Sequence, residues 1–144
     1  MHEVVGNLWE TGADAIVITT NGFIKKNGHA VMGAGVAKQA LRKWPNLSLV
    51  LGEHIRDNGN CVGSTRTSAE RIVFFPVKHA WYEKADLELI TRSTKELVKM
   101  ADRIGWQAVV LPRPGCGNGG LDWKDVKPIL ESYLDERFTV VNLK

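Results

Sequence analysis

The chain has 144 residues, of which 44% are hydrophobic and 24% charged, with a formal net charge of +3. Length and balance suit one ordinary globular domain and exclude a disordered chain or a disulfide-stapled miniprotein. The positive excess is mild and scattered, clustering locally only at Lys25-Lys26, Arg42-Lys43 and Lys124/Lys127, so charge supports no more than weak nucleic-acid contact.

In chain order, Val4-Val5 reads as a short first strand, and Asp14 to Thr19 is a continuous apolar run of the kind found in buried central strands. Val36, Ala37, Ala40 and Leu41 recur at helical spacing from Gly35 to Lys43. Trp44-Pro45 ends that helix, because the residue before proline avoids the helical region. A second helix is expected from Leu47 to Ile55, stopping near Asp57-Asn58-Gly59-Asn60. Arg71 to Val77 is another buried strand. Next comes a long helix from about Asp86 to Ile104, with Leu87, Ile90, Leu97, Val98 and Met100 as its apolar stripe. Ala108 to Leu111 is a third central strand. The last helix starts near Asp122, an acceptable N-cap, and carries Val126, Ile129, Leu130, Tyr133 and Leu134. Phe138 to Val141 closes the sheet.

Strands separated by helices, several of them apolar throughout, predict one α/β domain over residues 1–144 with a mostly parallel or mixed sheet and helices on both faces. Ligands of such sheets sit beyond the carboxyl ends of the central strands, which directs attention to the segments after Thr19, Val77 and Leu111. Cys61 and Cys116 have no metal-ligand spacing. Both read as reduced thiols of a cytoplasmic protein without zinc or another metal. The polar start Met1-His2-Glu3 lacks the apolar core of a secretory leader, and no apolar run approaches the roughly eighteen residues of a membrane span. No membrane association is expected, and a monomer is the default.

Two constellations carry chemistry. Thr20-Asn21-Gly22 and Gly28 lead to Val31-Met32-Gly33-Ala34-Gly35-Val36-Ala37 at a helix start, where glycines let backbone amides approach an anion and the helix terminus adds partial positive charge. The bland alternative is that Gly33 and Gly35 serve only tight packing. The second is Pro112-Arg113-Pro114-Gly115-Cys116-Gly117-Asn118-Gly119-Gly120-Leu121-Asp122-Trp123. Its four glycines, between a buried strand and a helix, are too costly in conformational entropy for packing alone, and their amides are free to wrap a diphosphate. Neither turn has the GK[ST] of a P-loop or a GxGxxG, so ATP hydrolysis and NAD-dependent hydride transfer are poorly supported.

The order Gly6-Asn7, Ala15 to Asn21, the Gly33-Ala34-Gly35-Val36-Ala37 loop and the late glycine-rich loop resembles a macro domain over essentially the whole chain. Met32 to Ala37, Pro112 to Gly117 and Gly120 to Trp123 resemble more narrowly the terminal ADP-ribose glycohydrolase branch, which includes antitoxin domains that remove ADP-ribose from DNA bases. The resemblance implies a three-layer α/β/α fold with a central mixed, mostly parallel sheet, and ADP-ribose as ligand with no cofactor. It places Asn7 at the adenine amino group, where family members commonly have aspartate, and Asn21 at the distal ribose. It sets Gly33, Ala34, Gly35 and Val36 on one side of the diphosphate and Gly115, Cys116, Gly117, Asn118, Gly119 and Gly120 on the other. Leu8, Thr20, Met32, Pro112 and Leu121 complete the expected ligand-binding set.

Lys78 closes the apolar strand in the run Phe75-Pro76-Val77-Lys78-His79-Ala80-Trp81. In the branch resembled, a lysine after this strand is catalytic at the anomeric carbon of the distal ribose; on local sequence alone Lys78 reads rather as a solvated strand-end lysine. Some members pair it with an aspartate where this chain has Gly119, and the nearby Asp122 reads as an N-cap. His79 and Trp81 either reach over the ligand or a target base, or Trp81 anchors the loop. Trp44, Trp106 and Trp123 read as packing, and His2, His29 and His54 form no metal or triad set. The expected activity is release of terminal ADP-ribose from DNA or protein. A non-catalytic ADP-ribose reader and an ADP-ribose 1″-phosphate phosphatase are the alternatives.

Overall fold

Three apolar runs pair side by side, as their buried character requires. The computed structural model describes residues 1–143. Its strands are β1 (His2–Gly6), β2 (Ala15–Asn21), β3 (Gly63–Arg66), β4 (Arg71–Lys78), β5 (Val109–Leu111) and β6 (Phe138–Leu143). The α-helices are α1 (Gly35–Lys43), α2 (Leu47–Asn58), α3 (Leu87–Ile104) and α4 (Trp123–Glu131). The sheet order is β1-β6-β5-β2-β4-β3. Every pairing is parallel except β3 with β4.

Alternation along β2 builds the three layers. Ala15 and Val17 join Val73, Phe75, Ile90, Leu97, Val126 and Leu130 in the cluster under α3 and α4. Ile16 and Ile18 join Val36, Ala40, Leu51, Ile72 and Phe74 in the cluster under α1 and α2. The central strands β2, β4 and β5 are thus sealed from water on both faces, which fits their unbroken apolar runs.

The β2–β4 ladder slips near its end. Thr20 pairs with Pro76 and Asn21 with Lys78, so Val77 is an extra residue on β4. Proline lacks a ladder N–H and sits naturally at such a bulge. The buried Ser93 hydroxyl donates to the Pro76 carbonyl at 2.7 Å and ties this strand end to α3.

Several expectations are corrected. β3 is a polar edge strand, Gly-Ser-Thr-Arg, with no apolar pattern to reveal it. Leu87, placed on the stripe of α3, is 37% exposed, and Leu89 is buried in its stead. The buried face runs Leu89, Ile90, Ser93, Thr94, Leu97 and Ala101, with both hydroxyls hydrogen-bonded to carbonyls. α2 continues past Ile55 to Asn58, where Gly59 caps it. Tyr133 lies beyond the end of α4 and is exposed.

Gly52 positions the segment that closes one wall of the site. Ala30 donates to the Ser48 carbonyl at 2.8 Å. A Cβ on Gly52 would collide with the Gly28 carbonyl oxygen and come within 3.2 Å of the Ala30 nitrogen. Gly52→Ala is therefore expected to destabilise the protein. Overpacking costs about 1–3 kcal/mol, which exceeds the helix-propensity gain of about 1 kcal/mol. Urea midpoints read the difference.

Candidate ligand-binding site

A cavity of about 780 Å³ opens beyond the carboxyl ends of β2, β4, β5 and β6. That is the volume of a site for a ligand of several hundred daltons, and the location that parallel sheets favour. Two glycine-rich segments wall it. The first, residues 31–37, leads into α1, and Ala34 at its N-cap position offers no capping side chain. The amides of the first turn are thereby left without intrahelical partners and face the cavity mouth. Gly35 sits at φ 56°, which favours glycine, and a Cβ there would lie 3.4 Å from the Asn118 side chain. The two loops approach each other at that point.

The second loop folds on itself through three backbone bonds. Cys116 N donates to Arg113 O, Gly120 N to Gly117 O and Leu121 N to Gly115 O. The amides of Gly117, Asn118 and Gly119 donate to no protein acceptor among the described residues, so three consecutive donors remain for an anion. A side chain on Gly119 would strike the Gly115 backbone, whereas Gly117 faces open space. Burial pushes the Cys116 thiol above its ordinary value, so it stays protonated and acts here as a small lining group.

Lys78 stands at the β4 end of the cavity. Its amine donates to Trp81 O at 3.4 Å and Asn118 O at 3.3 Å, bridging the β4–α3 loop and the glycine loop. A backbone bond from Ala85 N to Gly119 O at 2.9 Å fastens the same two loops, and one from Asp86 N to Val77 O, also 2.9 Å, closes the β4–α3 loop.

A family model described as the macro domain matches residues 26–130. The chain belongs to the macro domain family. A curated relative from Mycobacterium tuberculosis, named DNA ADP-ribosyl glycohydrolase, is 29% identical over 143 residues, covering 91% of this chain and 38% of the relative. One of the same name from Thermus aquaticus is 30% identical over 139 residues, covering 92% and 37%. The chain thus spans somewhat over a third of the length of those relatives. The solved macrodomain of Thermus aquaticus DarG superposes with a TM-score of 0.82 at 28% identity, over 99% of this chain and 97% of that one. Thermosipho africanus DarTG, solved in complex with ADP-ribose, shares the fold with a TM-score of 0.85 at 19% identity, over 100% of this chain and 42% of that one.

In this macro domain Thr20, Asn21, Met32 to Val36, Lys78, Pro112, Gly115 to Gly119 and Leu121 all reach the cavity wall. Asn7, Leu8 and Gly120, expected with them, are not among the lining residues. The Asn7 side-chain oxygen accepts from Trp9 N at 3.0 Å and caps a short 3₁₀ turn over Leu8–Glu10. Leu8 is wholly buried in the core. Gly120 turns at φ 76° toward the Lys84 stem and away from the wall. Asn21 lines the cavity, yet its side chain also braces the chain locally, donating to Val31 O and accepting from Phe23 N, each at 3.0 Å.

Sequence reasoning missed the β6 end of the cavity, where Val141, Asn142 and Leu143 join Arg113 and Trp123. The Arg113 guanidinium lies 4.8 Å from the Trp123 ring centre, and the indole N–H donates to Glu3 at 3.1 Å. Trp123 is therefore a wall of the site as well as packing. The available signal was an arginine two residues after a buried strand, at the head of a glycine-rich loop. Asp122 occupies the N-cap position of α4, but its side chain makes no capping bond, which corrects the capping role, and the residue lines the cavity.

Asp86 supports this end of the protein from behind. Its carboxylate pairs with His79 at 2.8 Å and accepts from Glu88 N at 2.9 Å, capping α3. The His79 contact holds the carboxyl below its usual range despite some opposing desolvation. Asp86→Ala is expected to cost about 1 kcal/mol at neutral pH through the lost cap. Because the folded-state value is depressed, that contribution is complete above the ordinary carboxylate range and is lost as pH falls below it through the depressed value. Urea midpoints of wild type and variant should separate at pH 7 and converge in acid.

Proposed function

We propose that this macro domain binds ADP-ribose and releases it from a macromolecular acceptor, with Lys78 as nucleophile at the anomeric carbon of the distal ribose. The observation that carries the reading is the Lys78 amine held between two carbonyl oxygens on the wall of a cavity whose other loops present unpaired amides. The two carbonyl contacts fix where the Lys78 nitrogen stands on the cavity wall, a pre-set position for attack, which requires the unprotonated amine. The lone pair adds to the anomeric carbon as the bond to the acceptor breaks. The acceptor leaves with the bonding pair and takes up a proton. Water then cleaves the carbon–nitrogen adduct, restoring the lysine and freeing ADP-ribose.

The relatives named DNA ADP-ribosyl glycohydrolase and the neighbour solved with ADP-ribose support both the ligand and the chemistry. In this reading the acceptor is DNA, the diphosphate lies between the two glycine loops, and the domain works in the cytoplasm as a monomer without cofactor. Gly119, where some family members supply an aspartate, favours the reader alternative, in which the same cavity binds ADP-ribose without turnover. Incubation with ADP-ribosylated oligonucleotide, ADP-ribosylated protein and ADP-ribose 1″-phosphate separates the readings. Free ADP-ribose released from the oligonucleotide is the expected result. Binding without release from any of them would establish a reader, and phosphate release a phosphatase.

A further inference from the structure

The loop that carries Trp81 presents an aromatic surface that the core does not use. Trp81 is 53% and Tyr82 66% exposed, although large rings gain most from burial. Ala80, 7% exposed, is what anchors the loop. Trp81 and Tyr82 meet edge to face, with ring centres 5.4 Å apart at 88°. Phe23 meets Tyr82 in the same way at 6.3 Å and 76°. An edge-to-face contact covers a face of only one ring of the pair, and Trp81 and Tyr82 stay more than half exposed to a visitor.

The surface is held in place by backbone. Gly22 N donates to His79 O at 3.2 Å, bringing the Phe23 segment to the Trp81 loop, and Glu83 N to Ala80 O at 3.1 Å closes the turn. It is also continuous with the cavity, since Trp81 is part of the wall and its carbonyl accepts from the Lys78 amine. The rings thus stand at the Lys78 end of the cavity.

Charge selects among visitors. Lys25 and Lys26 are exposed or nearly so in the turn after Phe23, and exposed Lys84 stands two residues beyond Tyr82. Of the carboxylates in the loop, Asp86 is engaged by its contact with His79, and exposed Glu83 stands against three lysines. Open ring faces flanked by cations are the arrangement that receives the bases and phosphates of a single strand; a duplex hides its base faces.

We infer that Trp81, Tyr82 and Phe23 form a docking platform for the single-stranded nucleic acid that carries the ADP-ribose. The bases next to the modified one stack on the rings, and Lys25, Lys26 and Lys84 meet the phosphates. This rests on the reading of the cavity as an ADP-ribose site, and it assigns the acceptor side to residues outside the diphosphate loops.

The test uses the full chain and a fluorescein-labelled unmodified oligothymidylate of about ten nucleotides, within the site sizes of single-strand binders. Anisotropy in low salt reads its affinity, and calorimetry reads free ADP-ribose in parallel. Tyr82→Ala is expected to weaken the oligonucleotide roughly ten- to hundredfold, the loss typical of one stacked base. ADP-ribose affinity should stay unchanged, because Tyr82 is not on the cavity wall. Tyr82→Phe should restore the oligonucleotide, since it keeps the ring. Equal affinity in wild type and Tyr82→Ala, loss in Tyr82→Phe, or no oligonucleotide binding by a wild type that binds ADP-ribose would each overturn the platform. A wild type that binds no ADP-ribose would instead overturn the cavity reading.

Discussion

Lys78→Ala is expected to abolish release of ADP-ribose while leaving its binding nearly intact. The lysine contributes little to the fold. Its two contacts are long, at 3.3 and 3.4 Å, and the loops it bridges are independently fastened through Ala85, Asp86 and Gly119. Removing a positioned reacting group costs at least about 100-fold in kcat. The affinity for free ADP-ribose resides mainly in the amides and should shift little. Lys78→Arg sharpens the result, because it keeps charge and reach but supplies no neutral amine, and it should be as inactive as the alanine variant. Single-turnover assays with calorimetry separate kcat from binding. Undiminished turnover in Lys78→Ala would move the reading to chemistry that does not involve the lysine.

Gly117→Glu should remove most of the affinity for ADP-ribose without unfolding the protein. A Cβ at Gly117 meets nothing within 4 Å, and its φ is not positive, so a side chain fits. The new carboxylate would stand among the free amides of the loop and repel the diphosphate. Two unit charges about 4 Å apart repel by about 1 kcal/mol in water and about 4 kcal/mol where partly desolvated, so affinity should fall roughly five- to several-hundredfold. Gly117→Ala, which adds bulk but no charge, should bind almost as wild type. Unaltered calorimetric binding by Gly117→Glu would place the diphosphate elsewhere.

The central architecture was legible because buried parallel strands and amphipathic helices write themselves plainly in hydrophobic periodicity. α1 spans Gly35–Lys43 as its apolar spacing predicts. Both glycine loops announce their backbone character, and the sheet rule places them at one rim. β3 was illegible because an edge strand of Gly-Ser-Thr-Arg buries little apolar surface. The stripe of α3 was misread because Ser93 and Thr94, polar in sequence, are buried by satisfying carbonyls. The β6 end of the cavity depends on tertiary approach. Nothing local to Asn142 or Trp123 says that Arg113 arrives beside them. Asn7 and Leu8 were assigned by resemblance, and a 3₁₀ turn with a wholly buried leucine holds them off the wall.

The extra residue at Val77 makes this chemistry easy to lose without losing the fold. Neighbouring residues of a strand point to opposite sides, so a slip of one position reverses everything beyond it. Were pairing of the intact strand to run on unbroken from Thr20 and Pro76, Val77 would stand opposite Asn21 and the amine of Lys78 would fall in the opposite layer. A chain paired in that register would still carry the lysine, both glycine loops and the aromatic pair, and on the proposed reading would hold ADP-ribose without releasing it from its acceptor.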